Sequence, residues 1–116
     1  MAAVTIYHNP KCGTSRSVLA RLRDRGLAPV VVEYLKTPLD RAALTALAAR
    51  MGVPVRDMVR WKESEAVGAA GITPDSPDGA LLEALVKHPI LLNRPIVVTQ
   101  KGALLCRPAE SVDTIL

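Results

Sequence analysis

The amino-acid sequence predicts one α/β domain, a mixed sheet with helices on its faces. Three observations carry this reading. A strand, a helix and a second strand fit within the first 34 residues, a spacing that makes the two strands parallel with a right-handed crossover. The middle of the chain shows helical periodicity and no strand pattern. A two-strand hairpin and a short helix follow it. The length of 116 residues is that of an ordinary domain, and there is no linker, internal repeat or low-complexity tract.

The elements follow in order. Ala3-Val4-Thr5-Ile6-Tyr7 is β-branched and aromatic and reads as a buried first strand. His8 to Gly13 is a loop, with Asn9-Pro10 and Gly13 as breakers. A helix is expected from Thr14 or Ser15, capped by those hydroxyls, with Val18, Leu19 and Leu22 on one face and Gly26 as its C′ residue. Pro29 to Tyr34 is the second strand. Thr37-Pro38-Leu39-Asp40 resembles a capping signature and opens a helix that buries Leu44, Leu47, Ala48 and Met51 and closes at Gly52. Pro54 to Arg60 reads as a short helix, whereas Trp61 to Gly71 has no decided state. Thr73 to Gly79 is a loop, and Ala80 to Lys87 a helix with Leu81, Leu82 and Leu85 inward, broken by His88-Pro89. Ile96 to Thr99 and Ala103 to Cys106 form a hairpin around Gln100-Lys101-Gly102, and a last short helix starts near Pro108.

The order βαβ, helices, ββα matches the thioredoxin-like arrangement, a single domain over residues 1–116 with a helical insertion at about 38–88. In that fold a cis proline precedes the third strand, and Arg94-Pro95 stands at that point.

Composition narrows the function. Apolar residues make up 49% and charged residues 22%, which excludes a disordered or collagen-like chain. No run approaches the roughly 18 apolar residues of a membrane helix. Met1 to Tyr7 lacks the basic start of a signal peptide, so a cytosolic protein is expected. Two cysteines and two histidines suffice neither for a disulfide scaffold nor for a zinc site; no metal is expected. The net charge of +4 comes from ten scattered arginines. With no Phe, two Tyr and one Trp, few rings are available to stack bases. The charge therefore suits a small anion, and neither nucleic acid nor membrane is an expected partner.

Cys12 is placed where a thiol becomes a thiolate. It follows the first strand and stands at the entrance to a helix, where unpaired N–H groups and the positive end of the helix dipole favour charged sulfur. The same N–H groups can hold an anion's oxygens. His8, Lys11 and Arg16 add positive potential wherever they are protonated and turned toward the sulfur. A buried structural cysteine is the common alternative, but a Pro- and Gly-flanked loop is a poor place for one. In Cys12-Gly13-Thr14-Ser15 a serine stands where dithiol proteins carry a second cysteine. An adduct on Cys12 must then be resolved by Cys106 or by an external thiol. Cys106 follows a leucine pair in a strand and reads as a core residue, so an external thiol such as glutathione is the better candidate. His8 could lower the thiol's pKa or shuttle a proton, or only bond to backbone; its place four residues before Cys12 favours the first. His88, at a helix end before Pro89, reads as structural. Arginine offers planar bidentate donors to tetrahedral oxyanions. Arg21, Arg23 and Arg25 lie away from the apolar stripe of their helix, as solvated residues do. Arg94 directly precedes the strand-initiating proline, and Arg107 directly follows the hairpin. Either would be an ordinary surface residue outside this fold, but in a thioredoxin-like sheet Arg94 could reach a ligand on Cys12.

Tyr7-His8-Asn9-Pro10-Lys11-Cys12-Gly13-Thr14-Ser15-Arg16, His88-Pro89-Ile90-Leu91-Leu92-Asn93-Arg94-Pro95-Ile96-Val97-Val98 and Leu105-Cys106-Arg107-Pro108 together closely resemble the glutaredoxin-linked arsenate reductases of the ArsC family. The similarity runs from the first strand to about residue 115, and the chain ends at Leu116, short of the extension that longer members carry. The resemblance implies that Cys12 is the nucleophile toward arsenate. It implies that Arg60, Arg94 and Arg107 hold the oxyanion, and that His8 and Ser15 tune the thiolate. Arg60 matches by its place at the end of the short helix. Glutathione is implied as co-substrate and glutaredoxin as protein partner, with no bound cofactor. Two other readings share the fold: a related thiol oxidoreductase acting on another substrate, and an Spx-type regulator that binds RNA polymerase through a Cys-x-x-Cys switch. Ser15 argues against that switch.

Overall fold

The computed structural model describes residues 3–116; Met1 and Ala2, the start of the stretch considered as a leader, lie outside them. The chain divides into two compact units. One runs to Thr37 and resumes at Arg94, and the other is Pro38–Asn93.

The first unit holds the sheet. Strands β1 (Thr5–His8), β2 (Val30–Glu33), β3 (Ile96–Thr99) and β4 (Gly102–Leu105) stand in the order β2-β1-β3-β4. β1 pairs with β2 in parallel, as the βαβ spacing requires, while β1–β3 and β3–β4 are antiparallel. The register sets Ile6 beside Val31 and Val97. Helix α1 (Gly13–Asp24) buries Val18, Leu19 and Leu22, and these pack with Val4, Ile6, Val97, Cys106 and Val112 into one apolar cluster. Each such side chain contributes roughly 1.5–3 kcal/mol of transfer free energy. Gly26, with φ of 77°, follows α1 in the left-handed conformation that glycine adopts without steric cost. The unit closes with a 3₁₀ helix, Ala109–Ile115. Asp113 of that helix accepts from Arg21 at 2.9 Å and from Arg25 at 3.2 Å.

The second unit is helical: α2 (Arg41–Met51), a 3₁₀ turn Val55–Met58, α3 (Ser64–Ala70), α4 (Asp78–Lys87) and a 3₁₀ turn Pro89–Leu91. The capping signature holds: Asp40 accepts from the Ala43 N–H at 2.8 Å, and Gly52 ends the helix at φ of 69°. α4 packs on α2 and on both 3₁₀ turns, with Leu81, Leu82 and Leu85 buried as the periodicity predicts.

The differences from expectation are local. α1 starts at Gly13, so its N-cap is Cys12 and not a hydroxyl residue. The helix expected over Pro54 to Arg60 is confined to the 3₁₀ turn Val55–Met58. α4 begins at Asp78, two residues early, because Pro77 at φ of −64° serves as its cap. The Arg94-Pro95 bond is cis as expected, and so is Arg107-Pro108, which nothing in the sequence singled out.

Candidate active site

β1 ends at His8 and hands the chain to a tight turn in which the Cys12 N–H donates to the Asn9 carbonyl at 3.0 Å. Cys12 is extended (φ −90°, ψ 120°), and its carbonyl accepts the Arg16 N–H at 3.0 Å, the first bond of α1. The thiol therefore stands at a helix N-terminus, whose first N–H groups have no partner within the helix. Arg107 Nη1 lies 3.6 Å from Cys12 Sγ and also donates to the Arg94 carbonyl at 3.0 Å.

The sulfur is half-buried, and burial alone would hold its proton on. The Ser15 N–H, the Arg107 and Arg94 guanidiniums and the Thr14 N–H outweigh that effect, so the Cys12 pKa falls below the ordinary thiol value. Lys11 and Arg16, considered from sequence as sources of positive potential, are not among these groups. Arg16 turns its Nη1 to the Pro10 carbonyl at 2.9 Å.

His8 and Ser15 form a pair beneath the loop. His8 Nδ1 lies 2.6 Å from Ser15 Oγ, and that hydroxyl also accepts the Asn9 N–H at 3.0 Å. Ser15 meets the thiol's field through its backbone, while its side chain is committed to His8 and Asn9. Burial lowers the His8 pKa, and Arg23 and Arg16 push the same way against Glu33, which acts to raise it. The balance favours the uncharged ring, which brings no positive potential to the sulfur.

Arg94 is buried at 7% exposure, and Arg107 is exposed. His8, Ser15, Arg94 and Arg107 are thus assembled with Cys12 in the first unit. Arg60 belongs to the second, where its Nε is 3.5 Å from Glu63 Oε1 and its N–H donates to the Leu91 carbonyl at 2.7 Å. Among the described residues no group of three or more His, Cys, Asp or Glu is placed to hold a metal ion, and no helix is long and apolar enough to cross a membrane. Cys106 is a different kind of thiol. It has no exposed surface, its Sγ donates to the Leu104 carbonyl at 3.4 Å, and burial pushes its pKa up to about 12.

Asn9 reads in the sequence only as a breaker, yet it takes part in the loop's hydrogen bonding. It is 2% exposed, and its Oδ1 accepts the Lys11 N–H at 3.0 Å. An Asx residue between a strand and a proline is itself a turn signal, and that signal was available.

A parallel strand pair joined by a helix and an antiparallel hairpin behind a cis proline define a thioredoxin-like protein, here with a lone thiol at the N-terminus of the first helix. The chain belongs to the ArsC family, whose model matches residues 7–115. An arsenate reductase of Rhizobium meliloti (strain 1021) is 50% identical over 113 residues, covering 97% of this chain and 81% of that protein. One of Escherichia coli (strain K12) is 47% identical over 117 residues, covering 100% and 82%. Among solved structures, an arsenate reductase from Vibrio cholerae superposes with a TM-score of 0.89 at 42% identity, over 98% of each chain. An arsenate reductase (ArsC) related protein from Brucella melitensis, at 20% identity and a TM-score of 0.66 over 89% of this chain and 85% of that one, shares the fold.

Proposed function

We propose that the protein reduces arsenate to arsenite, with Cys12 as nucleophile and with glutathione and glutaredoxin supplying two electrons. The observation that carries this reading is the Cys12 sulfur at the α1 N-terminus with Arg107 Nη1 at 3.6 Å. A thiolate there can attack, and the same donors can hold a tetrahedral dianion. The relatives' names supply the substrate.

The Cys12 thiolate attacks arsenic, a sulfur–arsenic bond forms, and one protonated oxygen leaves as water. Glutathione adds through its own sulfur and a second oxygen leaves as water. The glutaredoxin thiolate then attacks the glutathione sulfur. A disulfide forms between them, and the electron pair of the broken sulfur–arsenic bond stays on arsenic, taking it from As(V) to As(III). Hydrolysis of the remaining bond to Cys12 releases arsenite and returns the thiol. Arg94 and Arg107 hold the oxyanion; Arg60 enters this reading on the family likeness alone. His8 and Ser15 keep the loop geometry that presents the sulfur. No bound cofactor or metal takes part, and the reaction belongs to the cytosol, where thiols are kept reduced. Phosphate matches arsenate in shape and charge, so discrimination rests on the easier attack of sulfur on arsenic.

The test is NADPH oxidation coupled through glutathione reductase, glutaredoxin and glutathione. Turnover requires arsenate and both thiols in the wild type, and Cys12→Ser abolishes it. Wild-type-like turnover in that variant, or turnover without glutathione, refutes the reading.

A further inference from the structure

We propose that Asn9 is a positioning residue for Cys12, its side-chain oxygen and its backbone together setting the direction in which the sulfur points. Three hydrogen bonds converge on this one buried residue. Its Oδ1 accepts the Lys11 N–H, its carbonyl accepts the Cys12 N–H, and its N–H donates to Ser15 Oγ, each at 3.0 Å. The first two close the turn from Asn9 to Cys12 in the manner of an Asx turn. The third ties the turn to the first turn of α1, since Ser15 lies within that helix. Cys12 is thereby held from both sides, its N–H by Asn9 and its carbonyl by the Arg16 N–H. With the backbone fixed on both flanks, the Cα–Cβ bond has one direction, and from it the χ1 setting of Cys12 brings the sulfur to the Thr14 and Ser15 N–H groups and to Arg94 and Arg107. Fixed dipoles stabilise a charge only while the charge stays where they point.

Removing Oδ1 leaves the turn with only the Asn9 carbonyl to Cys12 N–H bond and frees the Lys11 peptide to rotate. The Lys11 N–H to Asn9 Oδ1 bond is only part-buried, so on its loss the N–H regains water and the fold is retained. The sulfur, by contrast, samples positions away from its donors. The effect is selective for thiolate stability over global stability.

The inference rests on Cys12 being the working nucleophile, and alkylation of the wild-type chain tests that premise alone: iodoacetamide must modify Cys12 with a midpoint pH below that of free cysteine. Asn9→Ala then raises the midpoint by about one pH unit, a roughly tenfold loss of thiolate at a fixed pH below it, with circular dichroism and the thermal transition close to wild type. Asn9→Ser keeps a shorter acceptor able to form the weaker hydroxyl turn and brings the midpoint back toward the wild-type value. A wild-type midpoint in Asn9→Ala overturns the proposal, as do equal shifts in the two variants. If Asn9→Ala does not fold, Asn9→Ser carries the test with a smaller upward shift. Loss of folding in both makes Asn9 a stability residue and also overturns it.

Discussion

The two cysteines show how one side chain becomes two chemical groups within a single compact unit. Cys12 stands half-buried at the mouth of α1, among N–H groups and guanidiniums that lower its pKa. Cys106 sits in the apolar cluster with Ile6, Leu22 and Val112, where its thiol is driven up to about 12. Burial acts upward on both. What separates them is what stands against it: Cys106 has the Val97 N–H alone, whereas Cys12 has two N–H groups and two guanidiniums. Reactivity here is a property of position, and the loop before a helix is where position and charge coincide.

The largest break in this contrast comes from removing the donors. Arg94 is buried, and Arg94→Ala is expected to lower kcat/KM for arsenate by up to about a hundredfold, the upper end for a hydrogen bond to a charged group. Arg107 is exposed, where solvent screens the interaction, and Arg107→Ala costs about tenfold. Arg23→Ala leaves kcat/KM unchanged. Steady-state rates of the three variants against arsenate concentration make the check, and equal losses in all three would reduce the arginines to bulk charge.

A smaller effect sharpens the contrast from the other side. Cys106→Ser retains turnover within about twofold, while placing a hydroxyl in an apolar site lowers stability by about 1–3 kcal/mol. Activity assays at 25 °C with parallel denaturant melts separate the two quantities; lost turnover in a folded variant would make Cys106 the resolving thiol.

The smallest effect is a pH dependence of stability from the buried ring below the loop. The His8 pKa lies below its unfolded value, so between the two values the unfolded chain binds more protons. His8 contributes fully above about pH 6.5, and that contribution is lost as pH falls from there toward the folded value. Thermal melts from pH 7.5 to 5.5 show Tm falling by no more than a few degrees, and His8→Gln, which cannot titrate, flattens the slope.

Much of this architecture is legible in the sequence because its signals are local. The β-branched run before His8, the Asp40 cap and the glycines at 26 and 52 each encode a strand, a start or a stop within a few residues. The placement of Cys12 beyond a strand and before a helix is equally local, and it carries the site. What stays hidden depends on contacts across the fold. His8 reads as a source of charge until β1 buries it, and Ser15 reads as a missing thiol until its hydroxyl is found bonded to His8 and Asn9. Arg107 and Arg94 are separated by a hairpin, and only the antiparallel pairing of β3 with β4 brings the Arg107 Nη1 to the Arg94 carbonyl. The helix limits erred where proline caps and 3₁₀ turns, whose patterns span three or four residues, replace longer periodic stretches.

The burial of Cys106 also decides how the protein meets oxidants. Peroxide attacks thiolates, so Cys12, with its lowered pKa and partial exposure, is the more susceptible of the two thiols to conversion to a sulfenic acid. Beside a second accessible thiol that species condenses to a disulfide and goes no further. Here the second sulfur is sealed in the core, so a disulfide that halts the damage before irreversible sulfinic acid must be made with a thiol from solution. The packing that seals Cys106 in the core leaves Cys12 without a neighbouring thiol as a safeguard.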